Sequence, residues 1–125
     1  MRVAGIGFRN AATKDSLQDA LARAIGDGLP VQAVATESSK ARAPAFREFA
    51  AALAIPAFAV RASDLARMVT PTQSQRVKDQ FGTGSLAEAA ALVAAGPDAR
   101  LVEARAVSHD KMATAAIAEN EGTDT

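Results

Sequence analysis

Apolar positions fall in short blocks along the chain, and their period changes from one block to the next. Residues 2–8 form a nearly unbroken apolar run containing Gly5 and Gly7, the pattern of a buried strand. Thr13 stands where a helix N-cap belongs, and Leu17, Leu21 and Ile25 follow at i, i+4 and i+8, marking one buried helical face that Gly26 and Gly28 close. Val31 to Thr36 reads as a second strand, and Glu37 to Arg42 as a polar loop. Pro44 opens a helix striped by Phe46, Phe49 and Leu53. Pro56 ends that helix, Ala57 to Val60 is a third strand, and Ser63 is expected to cap a short helix reaching about Met68. The polar stretch 70–85, TPTQSQRVKDQFGTGS, is a candidate mobile loop with a short strand near Val77 to Phe81. Ser85-Leu86-Ala87-Glu88 is a capping box, leading a helix whose core face is Leu86, Ala89, Ala90 and Val93 and whose end is Gly96-Pro97. Residues 101–107 and 112–118 form a hairpin about the turn Ser108-His109-Asp110-Lys111.

This alternation implies a three-layer α/β/α sandwich. Its first strands, each joined to the next by a helical crossover, should be parallel. The closing antiparallel hairpin makes the sheet mixed, though mostly parallel. A single domain is expected over residues 1–118, with 119–125 as a disordered tail.

Composition sharpens the picture. Of 125 residues 32 are alanine and only five are Phe, with no Trp or Tyr, so the core must be close-packed from small side chains. The 14 basic and 14 acidic residues balance, which argues against a dedicated nucleic-acid binder. The charge is uneven, however. Residues 1–61 carry eight Lys/Arg against five Asp/Glu, and 62–125 carry six against nine, so the first half is the better place to seek an anionic ligand. Absence of cysteine excludes disulfides, thiolate metal sites and a thiol nucleophile. No apolar run approaches the ~18 residues that span a membrane, and the opening MRVAGIGF lacks a signal-peptide pattern. The expectation is a soluble cytoplasmic domain that engages neither nucleic acid nor membrane.

Ligands of such a sheet gather at the carboxyl ends of the parallel strands. Gly7-Phe8-Arg9-Asn10 and Thr36-Glu37-Ser38-Ser39-Lys40 must lie there, with Gly82-Thr83-Gly84-Ser85 as a third neighbour. Gly5-Ile6-Gly7, with Glu37 at ribose distance, invites a dinucleotide reading, yet Asn10 stands where the third glycine belongs. Glycines that ease a tight strand-to-helix turn are the plainer alternative. The GTGS turn can offer backbone amides to a carboxylate or phosphate, or Ser85 and Glu88 can simply cap the helix. Arg9, Lys40 and Arg42 either surround one mouth and recognise an anion or are solvated loop charges. His109, the lone histidine, reads as a solvated turn residue and makes no metal site by itself.

Four blocks together carry a resemblance. GIGFRNAAT at 5–13, ATESSK at 35–40, GTGSLAEAAAL at 82–92 and ATAAIA at 113–118 resemble, in order and spacing, the CobE family of cobalamin biosynthesis. That family is similar to the C-terminal domain of CbiG, the cobalt-precorrin lactone hydrolase. The resemblance spans nearly the whole chain and implies a mixed-sheet α/β fold serving corrin ring formation. Its implied ligand is a precorrin or corrinoid intermediate, flat and polyanionic, with other cobalamin-pathway enzymes as partners and no resident cofactor or metal. Lys40, Gly84, Ser85 and Glu88 are carried over as ligand-binding positions, followed by Gly5, Gly7, Arg9, Thr36, Gly82 and Thr114.

There are departures from the family pattern. Phe8 replaces a cysteine frequent in the first block, and Ala41-Arg42-Ala43-Pro44 lacks a glutamate frequent after the lysine. CbiG also has N-terminal sequence outside the resemblance. Two functions follow. One is a module that binds the intermediate, as carrier or accessory factor. The other is a hydrolase opening a precorrin lactone, with Glu88 as catalytic general base and the GTGS amides stabilising an oxyanion.

Overall fold

The first strand, β1 (Arg2–Phe8), lies at the middle of a five-stranded sheet in the computed structural model, which describes residues 1–81 and 84–120. It is followed by α1 (Lys14–Ile25), β2 (Ala33–Glu37), a 3-10 turn at Lys40–Arg42, α2 (Pro44–Leu53) and β3 (Ala57–Val60). Then come α3 (Ala62–Leu65), α4 (Gln75–Phe81), α5 (Leu86–Ala95), β4 (Arg100–Val107) and β5 (Ala113–Glu119). The strand order is β3-β2-β1-β5-β4. β1 pairs with β2, and β2 with β3, in parallel; β5 is inserted between β1 and β4, antiparallel to both. The direction of β4 therefore matches that of β1, and the sheet is mixed but mostly parallel, with helices on both faces.

The alternation of side chains along β1 divides the molecule into its layers. Ala4, Ile6 and Phe8 enter the core shared with α1 and α2, where Leu17, Phe46 and Phe49 supply the bulk. Val3 joins the opposite core, built with Leu65 and the alanines of α5. On that second face the intervening positions of β1 are Gly5 and Gly7. A Cβ on Gly5 would run into the Ala87 carbonyl and stand 2.5 Å from the Ala91 nitrogen. The helix backbone lies directly on the strand backbone there, which only glycine permits.

Local chemistry explains most boundaries. Thr13 caps α1 as expected, in a reciprocal capping box with Ser16. α2 begins with Pro44 in its first turn, and Ala54 ends it in the left-handed region, φ 56°. Three expectations need correction. Ser63 is not a cap, because α3 starts one residue earlier with Arg61 as its N-cap. Residues 77–81 form the end of α4 rather than a strand: the amide of Lys78 donates to the Ser74 carbonyl, and the Gln-Arg-Val-Lys sequence is compatible with a helix once no sheet edge is offered to it. The capping box at Ser85 is half made. Ser85 Oγ accepts from the Glu88 amide, but the Glu88 carboxylate is engaged elsewhere. At the C-terminus Glu119 closes β5 and bonds Arg2 and Arg100, and the Asn120 side chain donates to the Ala95 and Pro97 carbonyls. Residues 121–125 lie outside the described residues.

Gly5→Ala should be among the most damaging single-methyl additions in the chain. We expect a loss of about 1–3 kcal/mol or more by urea denaturation, as for overpacked cores. An unchanged midpoint would show that α5 can retreat from β1 freely.

Candidate functional site

The parallel strands all end at one edge of the sheet, and β5 begins there because it runs the other way. This edge holds a cleft of about 370 Å³. Its floor is Gly7 and Phe8 at the end of β1, with Ala113 and Thr114 at the start of β5. Arg9 and Asn10 follow β1 on one side, and Lys40 reaches in from the turn after β2. Ser74 comes from the segment entering α4, Val77 from α4 itself, and Ser85 and Leu86 from the start of α5. Arg105 and Val107 of β4 and Lys111 and Met112 of the following turn complete the wall.

The lining carries four cations, Arg9, Lys40, Arg105 and Lys111, and no carboxylate among the described residues. The chain as a whole is neutral, so positive charge is concentrated here. Arg9, Arg105 and Lys111 take no part in the ion pairs of the described residues, which join Arg2, Arg23, Arg61, Arg67 and Arg100 to acids elsewhere. Lys40 Nζ donates to the Phe8 carbonyl at 2.6 Å and lies 4.6 Å from the centre of the Phe8 ring, a cation–π contact that fixes it at the end of β1. Phe8 in turn stacks on Phe46, 6.3 Å between centroids. A second cavity of about 340 Å³, lined by Ser39, Ala43 and Pro44, shares Phe8, Asn10 and Lys40 with the first.

Of the residues proposed from sequence, Gly7, Arg9, Lys40, Ser85 and Thr114 share this cleft. The others lie elsewhere. Gly5 is under α5, where no side chain fits. Thr36 is buried and donates from Oγ1 to the Ile6 carbonyl at 2.7 Å, stitching β2 to β1. Gly84 packs against Thr72 and Gln73, and its carbonyl accepts from the Ser74 amide. Glu88 is 0% exposed and accepts from the Thr72 amide and hydroxyl and the Arg105 amide. Arg42 is exposed in its turn, and Gly82 lies outside the described residues.

Glu37 does not wait for a ribose: its carboxylate accepts from the Ser39 amide and hydroxyl and from the Lys40 amide. Gly5 and Gly7 sit within β1, not in a phosphate-binding turn, so the dinucleotide reading fails on geometry. Arg105, Lys111, Ser74 and Met112 were not singled out from the sequence, and Asn10 was placed at this end only within the segment Gly7-Phe8-Arg9-Asn10. The signal for Arg105, Lys111 and Met112 was the hairpin, since a strand reversed beside β1 must bring its leading turn to the ligand edge.

Among the described residues no helix is long and apolar enough to cross a membrane, and no group of three or more His, Asp or Glu could hold a metal ion. The fold and cleft define a small α/β domain with a cationic cleft at the carboxyl ends of its parallel strands. The chain belongs to the CbiG C-terminal family, because the family model described as "Cobalamin synthesis G C-terminus" matches residues 2–118. It is thus a protein of the cobalamin biosynthetic pathway. Among solved structures it is similar to CobE, a protein from the cobalamin (vitamin B12) biosynthetic pathway, with 28% identity, a TM-score of 0.83 and coverage of 98% of this chain and 95% of that one. It is similar also to the cobalamin biosynthesis protein chiG from Agrobacterium tumefaciens, at 35% identity and a TM-score of 0.74 over 98% of this chain and all of that one, 100%. A cobalamin biosynthesis protein G homolog from Sulfolobus solfataricus shares the fold, at 16% identity and a TM-score of 0.70 over 98% of this chain and 37% of that one. No curated protein matches the chain.

The turn that carries Lys111 and Met112 to the cleft is itself held by Asp110. Its carboxylate accepts from Ser108 Oγ and Ser16 Oγ, both at 2.6 Å, and from the Met112 amide at 3.0 Å. These bonds, Ser108 first, hold its pKa at about 2, below the ordinary 3.8. A carboxyl group that folding makes more acidic stabilises the fold fully above its unfolded pKa, and loses that effect as pH falls through the folded value. Asp110→Asn should therefore melt below the wild type at pH 7, with the gap closing between about pH 4 and pH 2. A gap that persisted unchanged at pH 2 would mean the stabilisation is not that of a carboxylate.

Proposed function

We propose that this domain binds a precorrin or corrinoid intermediate, acting as carrier or accessory factor to other enzymes of the cobalamin pathway. The observation that supports this most is the concentration of four cations, without an acid, in one cleft of a neutral chain. Tetrapyrrole intermediates of corrin synthesis bear several acetate and propionate arms, and charge-assisted hydrogen bonds from Arg and Lys suit such groups. The cleft, about 370 Å³, is at the small end of the ~300–1,000 Å³ usual for small-molecule sites. It suits one edge of a macrocycle with its carboxylate arms, and leaves the rest accessible to a second protein.

A lactone hydrolase with Glu88 as general base gains no support from the geometry. That carboxylate is fully buried, does not line the cleft, and has both oxygens engaged by Thr72 and Arg105. A base must come within hydrogen-bond reach of the water it activates.

Titration with cobyrinic acid, a corrin polycarboxylic acid, should shift its visible bands, and the affinity should fall with salt as exposed charge pairs are screened. Lys40→Ala should weaken binding roughly tenfold, the scale of one charge-assisted hydrogen bond. Lys111→Gly is a cleaner removal of charge, because Lys111 has φ 64°, a conformation glycine adopts without strain. It should leave the melting temperature nearly unchanged while lowering affinity roughly two- to fivefold. No spectral change with the wild type, or no effect of either substitution, would overturn the reading.

A further inference from the structure

Glu88 is the one carboxylate among the described residues with no exposed surface, and the proposed binding does not touch it. A buried carboxylate is unfavourable unless its lone pairs are filled. Here Oε1 accepts from the Thr72 amide at 2.9 Å, and Oε2 from the Thr72 hydroxyl at 2.8 Å and the Arg105 amide at 2.9 Å. All three partners are donors, and they come from two different walls of the cleft. Thr72 belongs to the segment that presents Ser74 and Val77, and Arg105 belongs to β4.

The Arg105 bond has a specific cause. The register of β4 on β5 passes from Glu103 opposite Ile117 to Ala106 opposite Ala115, so Ala104 and Arg105 together face the single residue Ala116. This is a β-bulge, in which the extra residue loses its ladder partner and the strand bends to re-aim a side chain. The amide that the bulge releases is the one Glu88 accepts, and the side chain on that amide lines the cleft.

We infer that Glu88 is a positioning residue, which fixes the β4 bulge so that Arg105 is aimed into the cleft and ties it to the facing Thr72 segment. The inference rests on the ligand reading above and deepens it. Glutamine at this position is the same size but brings an amide donor against the donors of Thr72 or Arg105, so at least one bond is lost.

The test is a double-mutant cycle with cobyrinic acid as probe, read by visible-band titration below the melting temperature of every variant. Glu88→Gln and Arg105→Ala should each weaken binding roughly tenfold. The double variant should bind as weakly as Arg105→Ala alone, since an arginine that is absent cannot be misdirected. A merely structural Glu88 would give losses that multiply, and that result, or unchanged affinity in Glu88→Gln, overturns the inference. Amide hydrogen exchange on the wild type supplies a measurement that does not depend on any variant folding. The Arg105 amide should be protected although it lies on an edge strand, whereas exchange at the rate of a free amide would refute the bond. A wild type that gives no band shift removes the ligand reading and this inference together; binding with multiplying losses removes only the inference.

Discussion

The closeness of α5 to β1 governs the geometry of the whole cleft. Because Gly5 has no side chain, the backbone of the helix at Ala87 and Ala91 rests on the backbone of the strand. That contact sets the depth at which α5 enters the molecule, and it follows that Ser85 and Leu86 arrive beside Gly7 and Thr114 in the cleft. Glu88, at the third position of the same helix, arrives facing Thr72 and the bulge of β4. The two faces of the sheet solve different problems. Phe46, Phe49, Leu17 and Ile117 fill a thick layer on one side, where burial of large side chains dominates. Alanine lines the other, where many close backbone contacts replace bulk and leave little room to shift.

The second constraint is the reversed placement of β5. Parallel strands joined by crossovers put the loops after β1 and β2 at one edge, but they deliver only Arg9 and Lys40 among the cleft cations. Insertion of β5 antiparallel to β1 brings the end of β4 and the Ser108–Lys111 turn to the same place, adding Arg105 and Lys111. The acids that pair with arginines do not line the cleft. Glu119 meets Arg2 and Arg100, Asp64 meets Arg61 and Arg67, and Asp19 meets Arg23. Apart from the partly buried Arg2–Glu119 pair, the arginines in these pairs are exposed, and such pairs contribute little stability. Their effect here is one of distribution, since the arginines they neutralise lie outside the cleft lining, which carries four cations and no carboxylate among the described residues.

Much of this architecture was legible in the sequence because local rules and the global fold agree. Thr13, Pro44 and the Gly96-Pro97 stop sit at helix ends, and the nearly unbroken apolar runs of β1 and β5 match strands buried on both faces. The strand–helix alternation put Arg9 and Lys40 at the carboxyl ends of parallel strands, with the turn ending at Ser85 as a candidate neighbour, and all three line one cleft. What escaped were effects of tertiary contact. Residues 77–81 were ambiguous in period, and the segment before them is organised by a carboxylate sixteen residues away in sequence, which no local pattern records. Glu88 itself satisfied the spacing of a capping box, and local spacing cannot tell a side chain that returns to its own helix from one that crosses to another element. Gly5 and Gly7 looked like turn glycines, but the constraint on Gly5 comes from a helix more than eighty residues later.

A common manner of holding the cations links these features to the proposed ligand. Lys40 is placed by the Phe8 carbonyl and ring, Arg105 by the hydrogen bond its backbone amide donates to Glu88, and Lys111 by a turn that Asp110 closes. The backbone of Arg9 is fixed by its bond to the Met112 carbonyl. In the cases of Arg9, Arg105 and Lys111 the anchoring acts on the main chain and leaves the charge out of the ion pairs seen elsewhere. An ion pair within the cleft would have fixed a side chain equally well, but a carboxylate guest would then have to displace an acid already in place. Anchoring through the backbone removes that competition and reduces the ordering entropy lost on binding, which is where rigid sites gain their affinity. A guest with several acid arms, as proposed above, would profit from this at each contact in turn.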